Sequence, residues 1–524
     1  MASVPPAVAE AYLRLQAGDA AGALEAARRA LAADPSNARA CLVEGIALRL
    51  VNRLGEAASA LARAQELDPR DSAAAYEAGV VRQLQGDPEG ALERFERSAQ
   101  LRPEFFAAHF SAGLLRADRR EWTLAAACFR RVLELRPGQP EALLHLALVL
   151  AREGRHAEAE ATFVQALASH PGHEGIVRAF GQYSASRGNF RRAASLFAEA
   201  ARLQPADTTL PMFLAQCELL TGRWAEGWAA YAGREPRRTF ERTAAARGRP
   251  YHVPAADSLQ GRTVTILGEQ GLGDALFFLR WVPALRAAGT RVRFAGDARL
   301  HGLLERTRLF DAFDGPQAAE SAEIVVLGGD LPSLFPGSDP LAMPSLAIAP
   351  LPERMAKWKT ALEAAGPRPW LGVQWRAGTP REAQAHALSK NAPLEALFTA
   401  LAAVPGTLVA IQRELRPGEI EKARRAAGRA VHDMSIVNNE LEDVLALVAL
   451  LDRHVAVSST TLHLAAAAGA TADVLLPFPP EWRWRREGDS PWFPGFRVHR
   501  QGVEGDWSAA LAGAARGDQD SGLQ

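Results

Sequence analysis

Ser72 to Phe105 reads SAAAYEAGVVRQLQGDPEGALERFERSAQLRPEF, and the phase of its small residues and its proline decides the fold of the first half of the chain. Pro103 belongs to a series at positions 35, 69, 103, 137, 171 and 205, each 34 residues from the next. Gly79 belongs to a second series in the same phase, with Ala11, Gly45, Gly113, Ala147, Gly181 and Ala215. Ala91 belongs to a third, with Ala23, Ala57, Ala125, Ala159 and Ala193. Such a period marks a repeat architecture. The unit is a helix, a turn and a second helix: small residues admit close helix packing, and the proline ends the second helix. Gly18, Gly86, Gly154, Gly188 and Gly222 fall in the turn, where glycine takes a positive φ at little cost.

On these series, residues 1–234 resemble a tetratricopeptide-repeat array of six full repeats and a partial seventh around Gly222 to Gly227. The resemblance implies an α superhelix whose concave face holds an extended peptide or a protein. A spacer or oligomerisation surface is the other reading. Tyr76, Phe105, Phe106, Phe110 and Tyr183 are expected between helices rather than on a ligand.

The full chain has 524 residues, 48% of them apolar and 23% charged, enough for several domains with proper cores. Sixty basic and sixty acidic residues give a formal net charge of zero, which disfavours a dedicated nucleic-acid binder while leaving room for a local basic cleft. Cys41, Cys128 and Cys217 are far apart and form no CxxC pair, so neither a disulfide framework nor a zinc cluster is expected. The twelve histidines form no HExxH, and GxSxG is absent; no metal site and no α/β-hydrolase site is expected. The opening Met-Ala-Ser-Val-Pro-Pro lacks the pattern of a signal peptide, and no apolar run is long enough to span a bilayer, so a cytoplasmic location is expected.

After residue 235 the period stops. Residues 235–261 are charged, contain proline and are expected as a linker. Seven apolar, β-branched runs then alternate with helical spacing: the run at 264–267, RVRFAG, AEIVVLGG, WLGVQW, TLVAIQ, HVAVSS and ADVLLP. This is the pattern of parallel-sheet α/β, with chain enough for two Rossmann-like lobes, 262–345 and 346–512, divided at the Pro-rich stretch near 335–350. The tail 513–524 is expected to be disordered.

Gly268-Glu269-Gln270-Gly271-Leu272-Gly273-Asp274 follows the first strand and opens a helix. Glycines there let backbone approach a ligand, and a helix start favours an anion. The stretch is neither a Walker loop nor a dinucleotide fingerprint. Asp274 has two readings: a helix cap, or a carboxylate that takes a proton from an attacking hydroxyl. In the second lobe, Ser458-Ser459-Thr460-Thr461-Leu462-His463 opens a helix after a strand, which suits a phosphate and equally suits an N-cap. The cation- and indole-rich run Glu481 to Arg486 reads either as a nucleic-acid surface or as packing for the last lobe.

The stretch GEQGLGDALFFLRWVPALRAAG, followed in order by LGVQWRAG, AIQRE, VAVSSTTLHLAAAAG and PPEWRWRREGDSPWFPGFRVHRQ, resembles the transferase region of bacterial tetratricopeptide-repeat glycosyltransferases of the heptosyltransferase-like group. The resemblance covers 262–507 and extends to flagellin glycosyltransferases. It implies a metal-independent GT-B fold with no cofactor beyond a CMP- or UDP-linked sugar as co-substrate. It makes Asp274 the catalytic base, with Glu269, Gln270, Gly271, Gly273, Trp482 and Arg483 lining the acceptor side of the cleft. It places Trp375, Arg376, Lys390, Gln412, Ser459, Thr460, Thr461 and His463 on the donor, with Gln412 against the base, and Ser490, Pro491 and Trp492 packing the cleft. Many relatives carry Val-Asp-Thr where this chain has Ser458-Ser459-Thr460, and the missing acid tilts the donor towards a negatively charged nonulosonic acid. The implied activity is O-glycosylation of Ser or Thr on a protein recruited by the repeats, flagellin being the acceptor named by the resemblance. Two rivals remain: an inactive repeat adaptor for an export or assembly client, and a lipopolysaccharide glycosyltransferase.

Overall fold

Asp71 caps the first helix of the quoted repeat, its carboxylate accepting from the Ala73 and Ala74 amides, and Asp87 caps the second by accepting from Gly90. Those helices run Ser72–Leu84 and Pro88–Leu101 in a computed structural model that describes residues 5–335, 339, 342–377 and 390–516. The chain divides into two compact units, Met1–Phe180 and Gly181–Gln524, the division falling within helix Glu174–Ser186.

In the first unit the helix pair recurs with the period of the sequence. A Cβ on Gly79 would come within 2.7 Å of the Phe95 ring, and one on Gly113 within 2.9 Å of Phe129. The small residue of the first helix is thus the socket for an aromatic sixteen residues later on the second. The turn position also holds its conformation where glycine is lacking: Asn52 and Arg120 stand at φ +59° and +60°, in phase with Gly86 at +80°. The aromatics behave as inter-helix packing. Tyr76 meets Phe95 and Phe105 at 5.4 and 5.1 Å, Phe110 meets Phe129 at 5.6 Å, and Phe106 lies under Arg136.

The second unit begins with further helices, among them Phe190–Leu203, Leu210–Leu220 and Trp224–Tyr231. Residues 235–261, expected as linker, contain a helix at Glu235–Ala246 whose Pro236 sits in the first turn, a place where proline is tolerated. Two sheets follow. The first has β1 (Thr263–Leu267), β2 (Arg291–Ala295), β3 (Ala312–Asp314) and β4 (Val325–Leu327) in the order β3-β2-β1-β4. The second has β5 (Trp370–Gln374), β6 (Thr407–Ala410), β7 (Val431–Asp433), β8 (Arg453–Val457), β9 (Asp473–Leu476) and β10 (Arg497–Arg500) in the order β10-β9-β8-β5-β6-β7. Every pairing between these strands is parallel, so the α/β expectation holds.

Three strands go beyond the sequence expectation, β3, β7 and β10, and all three are sheet edges. The central strand β5 is buried along its whole length, whereas β10 reads Arg-Val-His-Arg and is only half-buried. The last helix, Ser508–Arg516, packs Leu511 and Ala514 into the second core, so residues 513–516 are ordered helix and not tail; 517–524 lie outside the described residues. Cys41, Cys128 and Cys217 are free thiols. Among the described residues no helix is long and apolar enough to cross a membrane.

Candidate active site between the two sheets

In an open parallel sheet the ligand crevice lies beyond the strand carboxyl ends, where the strand order reverses. In the first sheet the order reverses between β1 and β4, and β1 runs into the glycine loop 268–271. In the second it reverses between β5 and β8, which run into Trp375-Arg376 and Ser458 to Thr461. The two places meet. Gly273, in helix Leu272–Phe278, lies so close to helix Thr460–Ala467 that a Cβ would stand 3.0 Å from His463 Cδ2 and 3.4 Å from Thr460 Oγ1. Gly273 therefore serves helix approach, a role distinct from the backbone–ligand approach expected of it. At Gly271 the nearest atom to such a Cβ is Asp274 Oδ2, at 3.6 Å.

A chain of alternating charges crosses the junction. Arg483 Nη2 donates to Asp274 Oδ1, and Arg483 Nη1 stands 3.5 Å from Glu481 Oε1. Glu481 Oε1 is 3.0 Å from Lys390 Nζ, and Glu481 Oε2 accepts from Ser458 Oγ. Trp484 Nε1 donates to Ser458 Oγ at 3.0 Å. Asp274 is the acid of the first turn of its helix, where it complements the helix dipole, and its carboxylate is paired with Arg483 of the other lobe. Burial opposes the charge on Glu481, but Lys390, Arg483 and the Ser458 hydroxyl prevail and hold its carboxyl down at about 2.

Glu481 is a site residue without a signal of its own in the sequence, where the cations and indoles of the run 481–486 dominate. Its carboxylate sits on Ser458, so an acid stands beside the segment 458–460 although that segment carries none.

Several expected contacts are committed to other work. Both functions of the Gln412 amide go to backbone: Oε1 accepts from the Trp375 and Arg376 amides at 3.1 and 2.9 Å, and Nε2 donates to Arg376 O and Arg413 O at 3.0 and 2.8 Å. Gln412 thus holds the end of β5 in place of contacting a base. The Arg376 guanidinium is held by Glu419 and by Glu414 O, at 2.9 Å, not by the junction. The Trp375 ring is buried against Phe398 in the second core. Trp482 lies in an aromatic cluster, 5.3 Å from Trp228 and 5.1 Å from Phe277. Ser490 Oγ donates to Arg483 O at 2.5 Å, and Trp492 joins the same cluster, so both support the arginine from behind.

Ser459 Oγ donates to Gln374 Oε1 at 2.9 Å and makes no cap bond to helix Thr460–Ala467, leaving the first turn without a side-chain cap. Thr461 is buried, Thr460 half-buried. His463 packs on Phe493 and Phe277; burial first, then Arg483 and Arg280, push its imidazole well below its ordinary value, so it faces the junction neutral.

On the other side of the glycine loop lies a second network. Arg234, 1% exposed, binds Glu269 Oε1 through Nη2 at 2.6 Å and Asp330 Oδ1 through Nη1 at 2.8 Å. Arg237 Nη1 and Tyr251 OH also reach Asp330, at 3.1 and 2.7 Å, and the Gly329 amide donates to Glu269 at 2.8 Å. Gln270 exchanges hydrogen bonds with Tyr231 OH at 2.7–2.9 Å. Glu269 and Gln270 thus clamp the loop to residues 231–251, and Glu269 also stands on the wall of a cavity of about 550 Å³. That cavity extends beside Phe240, Tyr251 and Val325, and another of about 600 Å³ lies at the amino ends of β5, β8 and β9. Among the described residues no cluster of His, Cys, Asp or Glu has the make-up of a metal site.

A tetratricopeptide-repeat family model matches residues 8–72, 42–104, 76–140, 110–174 and 178–235. The first part of the chain is thus a tetratricopeptide-repeat helical array, followed by an α/β region of parallel sheets. Among known proteins, Protein FlbA of Caulobacter vibrioides is 28% identical over 346 residues, covering 60% of this chain and 56% of FlbA, so the match spans little more than half of that relative. Similar solved structures include YrrB, a TPR protein with an unusual peptide-binding site (25% identity, TM-score 0.33, 36% of this chain and 96% of that one). Pseudomonas aeruginosa PilF is another (22% identity, TM-score 0.36, 40% and 95%).

Proposed function

We propose that the chain is a cytoplasmic protein O-glycosyltransferase whose repeats recruit a protein acceptor, with flagellin as the first candidate. The observation that carries this reading is the meeting of the two sheet switch points at Asp274, Arg483, Lys390 and the helix start at Thr460. A carboxylate from one lobe there faces cations and an uncapped helix start from the other, which suits a hydroxyl acceptor and a phosphate leaving group. In the reaction, the Ser or Thr oxygen bonds to the anomeric carbon and its proton passes to Asp274. The bond from that carbon to the donor phosphate breaks, its electrons leaving with the nucleotide. Lys390 and Arg483 balance the charge that develops on the phosphate, and no metal or cofactor takes part. The donor is a CMP- or UDP-linked sugar.

The repeats argue for a protein acceptor over a lipid glycan, because such arrays form extended protein-binding surfaces. One observation favours the rival reading of an inactive adaptor: the Asp274 carboxylate is occupied by Arg483. Intact-mass analysis of cellular proteins, flagellin first, with and without the gene decides between them. A sugar-sized mass lost on deletion supports transfer; an unaltered proteome contradicts it.

A further inference from the structure

Phe277 carries two guanidinium groups, Arg280 at 4.2 Å and Arg483 at 4.8 Å from the ring centroid. Arg280 is buried, and its hydrogen-bond partners among the described residues are carbonyls and a hydroxyl: Phe277 O at 3.0 Å, Trp492 O at 3.1 Å, Met343 O at 3.4 Å and Ser345 Oγ at 3.2 Å. Burial and the neighbouring Arg483 push it down to about 9. With Lys390, the junction holds three cations against the two carboxylates Asp274 and Glu481. A buried excess of positive charge calls for an anion.

Arg483 is the member able to change partner. Its side chain is 8% exposed, and its Nε is buried with no hydrogen-bond partner among the described residues. Guanidinium has five donors, so its present partners leave capacity unused. Glu481 is held by Ser458, Lys390 and Arg483, whereas Asp274, one-third exposed, has Arg483 as its ion-pair partner. A phosphate arriving here adds negative charge beside Asp274 and competes for the same guanidinium.

We infer that Arg483 exchanges between Asp274 and the phosphate of an entering phosphate ester or diphosphate, so that anion binding releases the Asp274 carboxylate. The inference rests on the proposed transferase reading and supplies what that reading lacks, a base that becomes free when the donor is bound. Arg483 is here a positioning residue for Asp274 and a ligand for the anion. The exchange breaks no covalent bond and needs no co-reactant.

The test is calorimetric titration of inorganic pyrophosphate into the full chain at low salt, where charge pairing is least screened. The wild type binds, and Arg483→Gln weakens binding at least about tenfold. Asp274→Asn, which frees the guanidinium, tightens binding by about fivefold or more, the ordinary size of a coupling between sites. In the double variant Asp274→Asn/Arg483→Gln that gain disappears. If Arg483→Gln does not fold, Arg483→Lys replaces it: a lysine cannot bind bidentately, so both the affinity and the gain fall. Absence of binding to the wild type, an Asp274→Asn affinity equal to or weaker than wild type, or a gain that survives removal of Arg483 overturns the exchange. No sugar is present, so failure here leaves the mass test of transferase activity standing, whereas pyrophosphate coupling without any transferred mass leaves an anion site and removes the base role of Asp274.

Discussion

Two carboxylate–guanidinium networks flank one glycine loop, and they differ in how much of their bonding capacity is used. Around Arg234, Glu269 and Asp330 each partner is buried and meets several others, and Tyr251, Arg237 and the Gly329 amide complete the set. Around Arg483 the outer members, Asp274 and Lys390, are each about one-third exposed, and one buried donor is unspent. A saturated network has no reason to rearrange; a partly used one with exposed ends can admit a ligand. The first fixes the loop, and the second is where chemistry belongs.

Breaking the first network has the largest effect. Arg234→Ala leaves the buried Glu269 without its cation and Asp330 with Arg237 alone, and costs about 3–5 kcal/mol in urea unfolding. Replacing all three charges together, as Arg234→Met with Glu269→Gln and Asp330→Asn, restores part of that loss. A loss under about 1 kcal/mol for Arg234→Ala alone shows that the Arg234 network does not fix the loop.

The second network shows itself through pH. Glu481, held at about 2, lies below its ordinary carboxylate value. A depressed acid stabilises the fold above its unfolded value, and that contribution is lost as pH falls through the folded one. The wild-type advantage over Glu481→Gln is therefore full at pH 6, at most about 3 kcal/mol, and fades between roughly pH 4.5 and 2. Unfolding curves at pH 6 and pH 3 read it; an advantage that does not shrink contradicts the pairing.

The smallest effect sharpens the comparison by exclusion. Arg376 is paired with Glu419 away from the junction, so Arg376→Ala leaves pyrophosphate affinity within about twofold. A tenfold loss instead returns Arg376 to the donor site.

The repeats were legible because each position is written many times: Arg120 and Asn52 take the turn conformation that glycine signals in their neighbours. The central strands were legible from apolar runs buried on both faces. The edge strands β3, β7 and β10 were not, being short or charged, with pairing on one side to hold them. Segments of the site were legible, because strand-to-helix turns advertise themselves. Which side chains face each other was not. Gln412 and Arg376 end strands as ligand residues do, yet their bonds go to backbone and to Glu419, while Glu481 sits in a run whose tryptophans and arginines drew the attention. Long-range pairing across 209 residues, as between Asp274 and Arg483, leaves no local signature.

The measurement closest to the central claim is the intact mass of the acceptor protein, flagellin first, from cells whose only copy of the gene carries Asp274→Asn. General-base catalysis contributes about 10²–10⁴-fold, so the sugar mass present with the wild-type gene falls to a trace or vanishes while the folded variant persists at wild-type level. Undiminished glycosylation by the Asp274→Asn chain contradicts the account.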